Sequence, residues 1–161
     1  MDIRIGQGID FHRFGGPGPA VVGGVEIPNA QGLIGHSDAD VLVHSIMDGI
    51  LGAFGKPDIG HHFPPDDEKW RGVSSLELLE IVYTLHMEPG WRIVNIDSTI
   101  VCEAPRMAPH IAAMKSLIAS RIEIDPSRVG IKATTSEGLG SLGRGEGIMA
   151  LANVLVMHAE G

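Results

Sequence analysis

GIDFHRF, residues 8–14, decides how the rest of this chain is interpreted, because it places polar side chains inside a strand pattern. Branched and aromatic residues alternate with other types, which predicts a β-strand over residues 3–11. Side chains two positions apart on a strand point to the same face, so Asp10 and His12 converge on one small volume. Such a pair is more often a packed, hydrogen-bonded contact than a site, so a third group is needed.

The helix pattern that follows offers a candidate for this third group. Asp40, His44 and Asp48 lie four residues apart and form a polar seam beside apolar positions. If the seam faces the first strand, Asp10, His12 and His44 form a set of two histidines and one carboxylate. This set leaves a fourth position open, which is the ligand pattern of a catalytic zinc.

The remaining patterns predict alternating strands and helices. We expect further strands over residues 91–103, 129–135 and 148–158, with a short hairpin over residues 20–28. We expect helices from a capping box at Ser37 and Asp40 to Gly55, from Ser74 to Met87, and over residues 107–122. Residues 58–72 and the glycine-rich residues 136–147 are expected to be loops, and the first is long enough to be a binding loop. This order favours an α/β or α+β sandwich with helices on one face of a sheet, in a single domain over residues 1–161.

Composition and charge exclude several classes of partner. The 161 residues carry a formal net charge of -8 and no cluster of Lys or Arg, so nucleic acid and anionic membrane surfaces are poor partners. No apolar run reaches the roughly 18 residues of a membrane helix, and we expect a soluble, cytoplasmic protein. Cys102 is the single cysteine, which leaves any metal to histidine and carboxylate ligands.

Two further segments have the chemistry of phosphate binding. GHSDAD places His36 and Ser37 at a predicted helix N-terminus, where unpaired amides and the helix dipole favour an anion. KATTSEGLG brings Thr134, Thr135 and Glu137 together at a strand end. Hydroxyls hold phosphate oxygens, whereas a carboxylate repels them unless a hard cation such as Mg or Mn lies between. A Thr-rich strand end with an exposed Glu explains this second segment equally well.

The order of the motifs along the chain carries a resemblance. GGVEIP, GHSDAD, DIG with FPPDD, APRM, KATTSEGLG and GRGEG follow GIDFHRF between residues 3 and 158. Together they resemble the 2-C-methyl-D-erythritol 2,4-cyclodiphosphate synthase family of the non-mevalonate isoprenoid pathway. The resemblance implies a phosphorus–oxygen lyase that converts 4-diphosphocytidyl-2-C-methyl-D-erythritol 2-phosphate to the cyclic diphosphate and CMP. It also implies a homotrimer of subunits with four-stranded sheets and with active sites between neighbours.

The resemblance also implies roles for residues at matching positions. The implied zinc ligands are Asp10, His12 and His44, and Glu137 is the implied ligand of a second cation, Mg or Mn. The implied transition-state stabilisers are His36 and Thr135. The implied substrate contacts are Ser37, Asp58, Ile59, Gly60, Phe63, Asp67, Cys102, Ala104, Pro105, Arg106, Met107, Ala133, Thr134 and Arg144. Beside Arg144 and Glu146, relatives have an apolar cavity near the three-fold axis that can hold an isoprenoid diphosphate.

The chain departs from the family pattern at four places. Pro65 replaces an aspartate and Ser141 occupies a position that is aromatic in some members, so substrate contacts differ there. Arg106 stands where Lys is common, which keeps the charge but changes its geometry. Ala39 replaces a frequent glycine, and we expect this change to be harmless.

Two other functions use the same residues. A zinc-dependent phosphohydrolase would use the triad with water as the attacking group, and Asp48 or Asp40 would have to act as its base. A non-catalytic binder of nucleotides or isoprenoid diphosphates would use the glycine-rich loops without the metal.

Overall fold

The computed structural model describes residues 2–28 and 31–159. Within them the strands are β1 (Ile3–Gly16), β2 (Ala20–Val22), β3 (Val25–Ile27), β4 (Gly32–Ile34), β5 (Trp91–Val101), β6 (Val129–Thr134) and β7 (Gly147–His158). The α-helices are α1 (Val41–Ala53), α2 (Ile59–His62), α3 (Ser75–His86), α4 (Ile111–Arg121) and α5 (Gly140–Gly143). Among these residues, no helix has the length and apolar character needed to cross a membrane.

The main sheet has five strands in the order β4-β1-β7-β5-β6, so the expectation of four strands is wrong. The fifth strand exists because β1 continues to Gly16, and its last residues offer a free edge. Leu33 and Ile34 pair with this edge, opposite Phe14 and Arg13. β4 has only three residues and, unlike β2 and β3, no tight glycine turn joins it to its partner, so the sequence shows neither alternation nor a hairpin signal there. The predicted hairpin is confirmed as the separate pair β2-β3.

The strand directions place the predicted site residues of β1 and those that follow β5 and β6 at the same end of the sheet. β7 is antiparallel to both β1 and β5, and β6 is parallel to β5, so β1, β5 and β6 run the same way. The register puts Phe11, Met149, Val101 and Thr134 in one row across four strands. Three strand spacings therefore separate Phe11 from Thr134, a distance of roughly 14 Å.

Two glycines let α1 lie directly on β1. A Cβ atom at Gly6 would lie 1.9 Å from the backbone oxygen of Gly49, and one at Gly8 would lie 2.0 Å from that of Ser45. No side chain fits at either position, because real Cβ atoms do not approach backbone oxygens this closely. Since Asp10 lies on the same face of β1, this close packing carries it to the side of α1.

In the residues that the structure describes, the long helices α1, α3 and α4 lie on one face of the sheet, as predicted. Ile3, Ile5, Ile9 and Phe11 of β1 point away from α1 and are 49%, 67%, 50% and 58% exposed. A row of exposed apolar side chains is unusual on the surface of a monomeric protein. The buried core lies between the other face of the sheet and α1, α3 and α4.

The start of α1 differs from the predicted capping box. Asp40 is the N-cap, and its side chain accepts a hydrogen bond from the Val43 amide at 3.1 Å. Ser37 lies outside the helix, and its hydroxyl contacts the His44 ring instead. Between them, Ala39 has φ of 58°, in the left-handed region where glycine is favoured. The expectation that alanine is harmless here is wrong, because its backbone is strained.

The predicted loops contain short helices. Residues 58–72 include α2 and the 3₁₀ turn Glu68–Trp70, and residues 136–147 include α5. Asp58 caps α2 by accepting a hydrogen bond from the His61 amide. One-turn helices carry no detectable apolar period, so the sequence gives no sign of them.

Candidate metal centre and substrate site

The three predicted metal ligands come together in the structure. Asp10 Oδ2 lies 3.0 Å from His12 Nε2 and 3.0 Å from His44 Nδ1, and the two nitrogens are 3.1 Å apart. β1 supplies the first two residues and α1 supplies the third. Tetrahedral zinc with bonds of 2.0–2.1 Å has ligand atoms about 3.3 Å apart, so the observed separations fit this geometry.

Hydrogen bonds on the outer side of the cluster fit a cation at its centre. His12 Nδ1 lies 2.9 Å from the Ile34 carbonyl oxygen, which only accepts, so the ring proton is on Nδ1. The Nε2 lone pair of His12 therefore points toward the Asp10 carboxylate. A lone pair and a carboxylate that face one point are stabilised by a cation between them. Asp10, His12 and His44 form a group that could hold a metal ion.

Within the cluster, Asp10 and His12 shift each other's pKa values toward their charged forms. When no cation is bound and the two rings are protonated, burial raises the pKa of Asp10, but hydrogen bonds and positive charge from His12 and His44 lower it by more, and the net result is a lowered pKa. Burial lowers the pKa of His12, but hydrogen bonding and charge from Asp10 outweigh it and raise the pKa. The Asp10 carboxylate is therefore ionised at neutral pH, as a metal ligand must be.

The other two members of the polar seam are tied to the backbone. Asp40 is fully buried and accepts hydrogen bonds from the Gly23 and Gly24 amides at 2.8 and 2.6 Å. Burial raises the pKa of Asp40, with a further contribution from the charge of the neighbouring Asp38. Asp48 accepts a hydrogen bond from the Ile59 amide at 2.8 Å, and burial raises its pKa. Asp48 therefore fixes α2 to α1.

A cavity of about 230 Å³ opens beside the triad and collects many of the predicted substrate contacts. It is lined by His12, His36, Ser37, His44, Ile59, Gly60, Phe63, Pro65, Trp70 and Leu78. The predicted residue Asp67 contacts His36 through its carbonyl oxygen at 3.2 Å, while its carboxylate caps a 3₁₀ turn. Trp70 was not predicted as a site residue, although it packs edge-on against Phe63 with ring centroids 4.9 Å apart.

A second cavity, of about 260 Å³, collects the residues predicted for the nucleotide. It is lined by Cys102, Glu103, Pro105, Arg106, Met107, Ala108, Ala133, Thr134 and Thr135. The Cys102 thiol is buried, and burial, with the nearby Glu103 charge, raises its pKa to about 11. A thiol that stays protonated is not a nucleophile at neutral pH. Ala104 is exposed and precedes a cis peptide bond to Pro105.

Glu103 holds the loop that follows β6, and sequence reasoning missed it. Its Oε1 atom accepts hydrogen bonds from the Ser136 amide and hydroxyl, both at 3.0 Å, and from the Gly138 amide at 3.3 Å. These bonds fix the turn between Thr135 and Glu137, whose side chains lie 3.4 Å apart. No spacing rule connects a residue after β5 with a loop more than 30 positions later.

The predicted pair Arg144 and Glu146 is an exposed ion pair, with Nε and Oε1 2.6 Å apart. Ser141 and Glu146 line a separate cavity of about 320 Å³ with Phe11 and Ile148. The structure thus places Arg144 outside the two cavities that contain the other predicted contacts.

With this geometry in place, comparison with known proteins gives a consistent result. Residues 3–157 match the model of the YgbB family. The chain belongs to the YgbB family. Curated relatives include the 2-C-methyl-D-erythritol 2,4-cyclodiphosphate synthase of Vibrio campbellii, which is 54% identical over 96% of this chain and 98% of its own length. The protein of the same name from Alkalilimnicola ehrlichii is 50% identical over 96% of this chain and 94% of its own.

Solved structures agree with this family assignment. The Bifunctional IspDF of Campylobacter jejuni superimposes with a TM-score of 0.94 and 40% identity over 99% of this chain and 43% of that one. The Plasmodium falciparum IspF CDP complex gives a TM-score of 0.85 and 32% identity, covering 98% of this chain and 97% of its own. The YgbB fold is therefore shared along nearly the whole chain.

Proposed function

We propose that this chain cyclises 4-diphosphocytidyl-2-C-methyl-D-erythritol 2-phosphate to 2-C-methyl-D-erythritol 2,4-cyclodiphosphate and releases CMP, in the non-mevalonate isoprenoid pathway. One observation carries the proposal. The Asp10, His12 and His44 cluster converges with 3.0–3.1 Å separations in a chain whose curated relatives carry this enzyme name at about half identity. We place the reaction in the cytoplasm and assign it to a single catalytic domain, whose ends lie outside the described residues.

The reaction requires no protein nucleophile. An oxygen of the substrate's own 2-phosphate forms a bond to the phosphorus that bears the sugar. The bond from that phosphorus to the CMP oxygen breaks, and CMP leaves with the electron pair. Because the attacking group is already an anion, the protein contributes positioning and neutralisation of charge.

The cavity beside the triad supplies the positioning groups for the attacking end. We assign His36 and Ser37 to the phosphate, with His36 also stabilising the transition state, because both line this cavity next to His12 and His44. The other wall of this cavity is formed by Ile59, Gly60 and Phe63, and Asp58 is the N-cap of α2 beside them. We assign these four residues to the erythritol part of the substrate. A zinc ion held by the triad would act as a Lewis acid toward a diphosphate oxygen.

We assign the second cavity to the CMP part of the substrate, which is the leaving group. We assign the cytidine to the segment around Pro105, Arg106 and Met107, with Cys102, Ala104 and Ala133 beside it. The Thr134 and Thr135 hydroxyls lie where a phosphate bound in this cavity would meet donors, and Thr135 is the proposed second stabiliser. Glu137 would hold Mg or Mn near the same phosphates, since a carboxylate is a suitable ligand for either ion.

Within one chain, these two ends are too far apart for a single diphosphate. The register separates β1 from β6 by roughly 14 Å, whereas adjacent phosphates share an oxygen. We therefore propose a homotrimer in which the triad of one chain meets the nucleotide cavity of the next. The uncovered apolar face of β1 supports this assembly, because a second copy would bury it. A cavity on the three-fold axis, near Arg144 and Glu146, would accept an isoprenoid diphosphate.

The phosphohydrolase is less well supported, because neither Asp40 nor Asp48 is placed to act as its general base. Asp40 accepts three backbone hydrogen bonds, and Asp48 is engaged with Ile59. Both carboxylates are held in structural roles rather than directed at a water molecule. A pure binding protein would gain nothing from a converged set of metal ligands.

Turnover of the diphosphocytidyl substrate distinguishes the three functions. The purified chain is incubated with this substrate, zinc and magnesium in ¹⁸O-labelled water, and the phosphorus products are followed by NMR and mass spectrometry. We expect unlabelled cyclic diphosphate and CMP in equal amounts. A labelled acyclic product would indicate the hydrolase, and no turnover would indicate the binder. Light scattering of the same sample tests the trimer independently.

A further inference from the structure

His44 also contacts a residue that has no role in the site described above. Its Nδ1 faces Asp10 at 3.0 Å, while its Nε2 lies 2.9 Å from Ser75 Oγ. Ser75 is fully buried at the start of α3, and its hydroxyl also forms a short hydrogen bond with the Asp38 carboxylate. Three polar side chains therefore lead from Asp38 through Ser75 to the metal-facing ring.

Among Asp38, Ser75 and His44, the donors and acceptors have only one arrangement in which both contacts are hydrogen bonds. An ionised carboxylate accepts hydrogen bonds and cannot donate, so the single hydroxyl proton of Ser75 goes to Asp38. Ser75 Oγ then offers only lone pairs to His44, and Nε2 of that ring must carry the proton. A neutral imidazole has one ring proton, so Nδ1 is left with a lone pair directed at the metal position.

We propose that Ser75 and Asp38 are positioning residues that fix the orientation and protonation of the His44 ring for metal binding. The inference rests on the proposed metal-binding role of the triad. The two residues act through His44, and neither is among the residues that line the cavity beside the triad. Helix α3 thereby takes part in the metal site without supplying a ligand.

Asp38 is itself held in place from several sides. Its Oδ2 accepts a hydrogen bond from the Ser75 amide at 2.9 Å, and its Oδ1 accepts one from the Asp40 amide at 3.2 Å. Its own amide donates to the Val73 carbonyl oxygen at 3.3 Å. Because the Asp38 carboxylate is bound to backbone amides at the starts of α1 and α3, it holds Ser75, and through it the His44 ring, in a defined position. Ser37 Oγ, at 3.1 Å from Nε2, is a second acceptor for the same ring proton.

The first test compares zinc affinity in Ser75→Ala with that in a matched control. Dissociation constants are measured by competition with a chromophoric chelator, without substrate. Ser75→Ala is expected to bind zinc about 10–100-fold more weakly, the usual effect of losing such an outer hydrogen bond. Ser74→Ala should stay within about twofold of the wild type, because the Ser74 side chain makes no capping bond.

The second test uses Asp38→Asn to reverse the direction of the hydrogen bonds that run between Asp38, Ser75 and His44. We expect the amide oxygen to keep the shorter contact, with the Ser75 N–H at 2.9 Å, at the expense of the 3.2 Å contact with the Asp40 N–H. The NH₂ group then faces Ser75 Oγ and donates to it. The hydroxyl then donates to His44 Nε2, which favours a proton on Nδ1 and opposes the metal. In zinc-loaded, ¹⁵N-labelled protein, we expect a slowly exchanging His44 Nε2–H signal in the wild type and in Ser74→Ala. We expect faster exchange of this proton in Ser75→Ala and Asp38→Asn.

The outcomes separate this inference from the proposed function. If folded Ser75→Ala and Asp38→Asn both bind zinc within about twofold of the wild type, the positioning role is overturned while the metal site stands. If the wild type binds no zinc, both ideas are overturned. Thermal unfolding identifies a variant that has lost its fold, and the other variant then decides the result.

Discussion

The two ends of the candidate site are built differently. At the triad end, Asp10 and His12 come from a long strand and His44 comes from the helix packed on it, so regular structure fixes the ligands. At the nucleotide end, Thr135 and Glu137 lie in a glycine-rich turn fixed mainly by one carboxylate, that of Glu103. At the first end, any change in packing between α1 and β1 moves the three candidate metal ligands, whereas the second end can change without disturbing the core.

The largest expected effect comes from adding one methyl group at the triad end. In Gly8→Ala, the new Cβ would meet the Ser45 oxygen at 2.0 Å and force α1 away from β1. We expect a loss of about 3 kcal/mol or more in the free energy of unfolding, together with loss of zinc. Urea unfolding and metal analysis measure the two effects.

The matched change at the nucleotide end is Gly138→Ala. Nothing lies within 4 Å of its Cβ position, but φ is +74°, so we expect a cost of only about 1–2 kcal/mol. Zinc content should be unchanged. Equal losses of stability in the two alanine variants would contradict the contrast between the two ends.

Removal of one ligand is expected to have the next largest effect. His44→Ala leaves two ligands, and we expect zinc to fall far below one per chain and turnover to fall about a thousandfold. His61→Ala, which changes an exposed histidine near the site, is the control and should keep its zinc. Full zinc occupancy in His44→Ala would exclude the triad as the metal site.

A smaller effect is expected from the carboxylate that fixes the nucleotide end. Glu103→Gln keeps the size of the side chain but weakens its bonds to Ser136 and Gly138. We expect KM to rise about tenfold with zinc content unchanged, because bonds to a charged acceptor contribute about 1.5–3 kcal/mol. Glu26→Gln, on the exposed surface of β3, serves as the control. Loss of zinc in Glu103→Gln would show that the two ends are not independent.

The smallest expected effect is a pH dependence near the triad end. The rings of His62 on α2 and His86 on α3 are 4.5 Å apart. Burial, and then the charges of His62 and Lys56, lower the pKa of His86 below its ordinary 6.5. The unfolded chain therefore binds this proton more readily, and stability falls as pH drops through 6.5. Thermal unfolding at pH 7.5 and 5.5 should show a smaller difference in His86→Phe than in the wild type.

The sequence predicted the triad because two regular periods carry it. The two-residue period of β1 placed Asp10 and His12 on one face, and the helical seam offered His44 as a third group. The resemblance carried by the ordered motifs was needed to favour a metal site over a packed pair, and both elements were confirmed. The seam itself was only partly correct. Asp40 and Asp48 share the helical spacing with His44, yet they turn to the backbone of neighbouring segments. Spacing indicates which side of a helix a residue is on, but not which partner it finds.

Two of the residues that the sequence did not reveal, Ser75 and Glu103, act across long separations along the chain. Ser75 meets His44 from 31 positions away, and Glu103 meets Ser136 from 33. β4 was missed for a related reason, since no tight turn joins it to β1 and its pairing depends on where β1 ends. Such contacts exist only after the helices and the sheet have packed together, so no local pattern encodes them.

The row of residues from Phe11 to Thr134 has a genetic consequence. If each active site takes its metal from one chain and its nucleotide loop from the next, two inactive chains can complement each other. A chain that lacks His44 still offers an intact loop, and one that lacks Glu137 still offers an intact triad. Trimers assembled at random from equal amounts of both would have about a quarter of their sites intact, although neither parent has any.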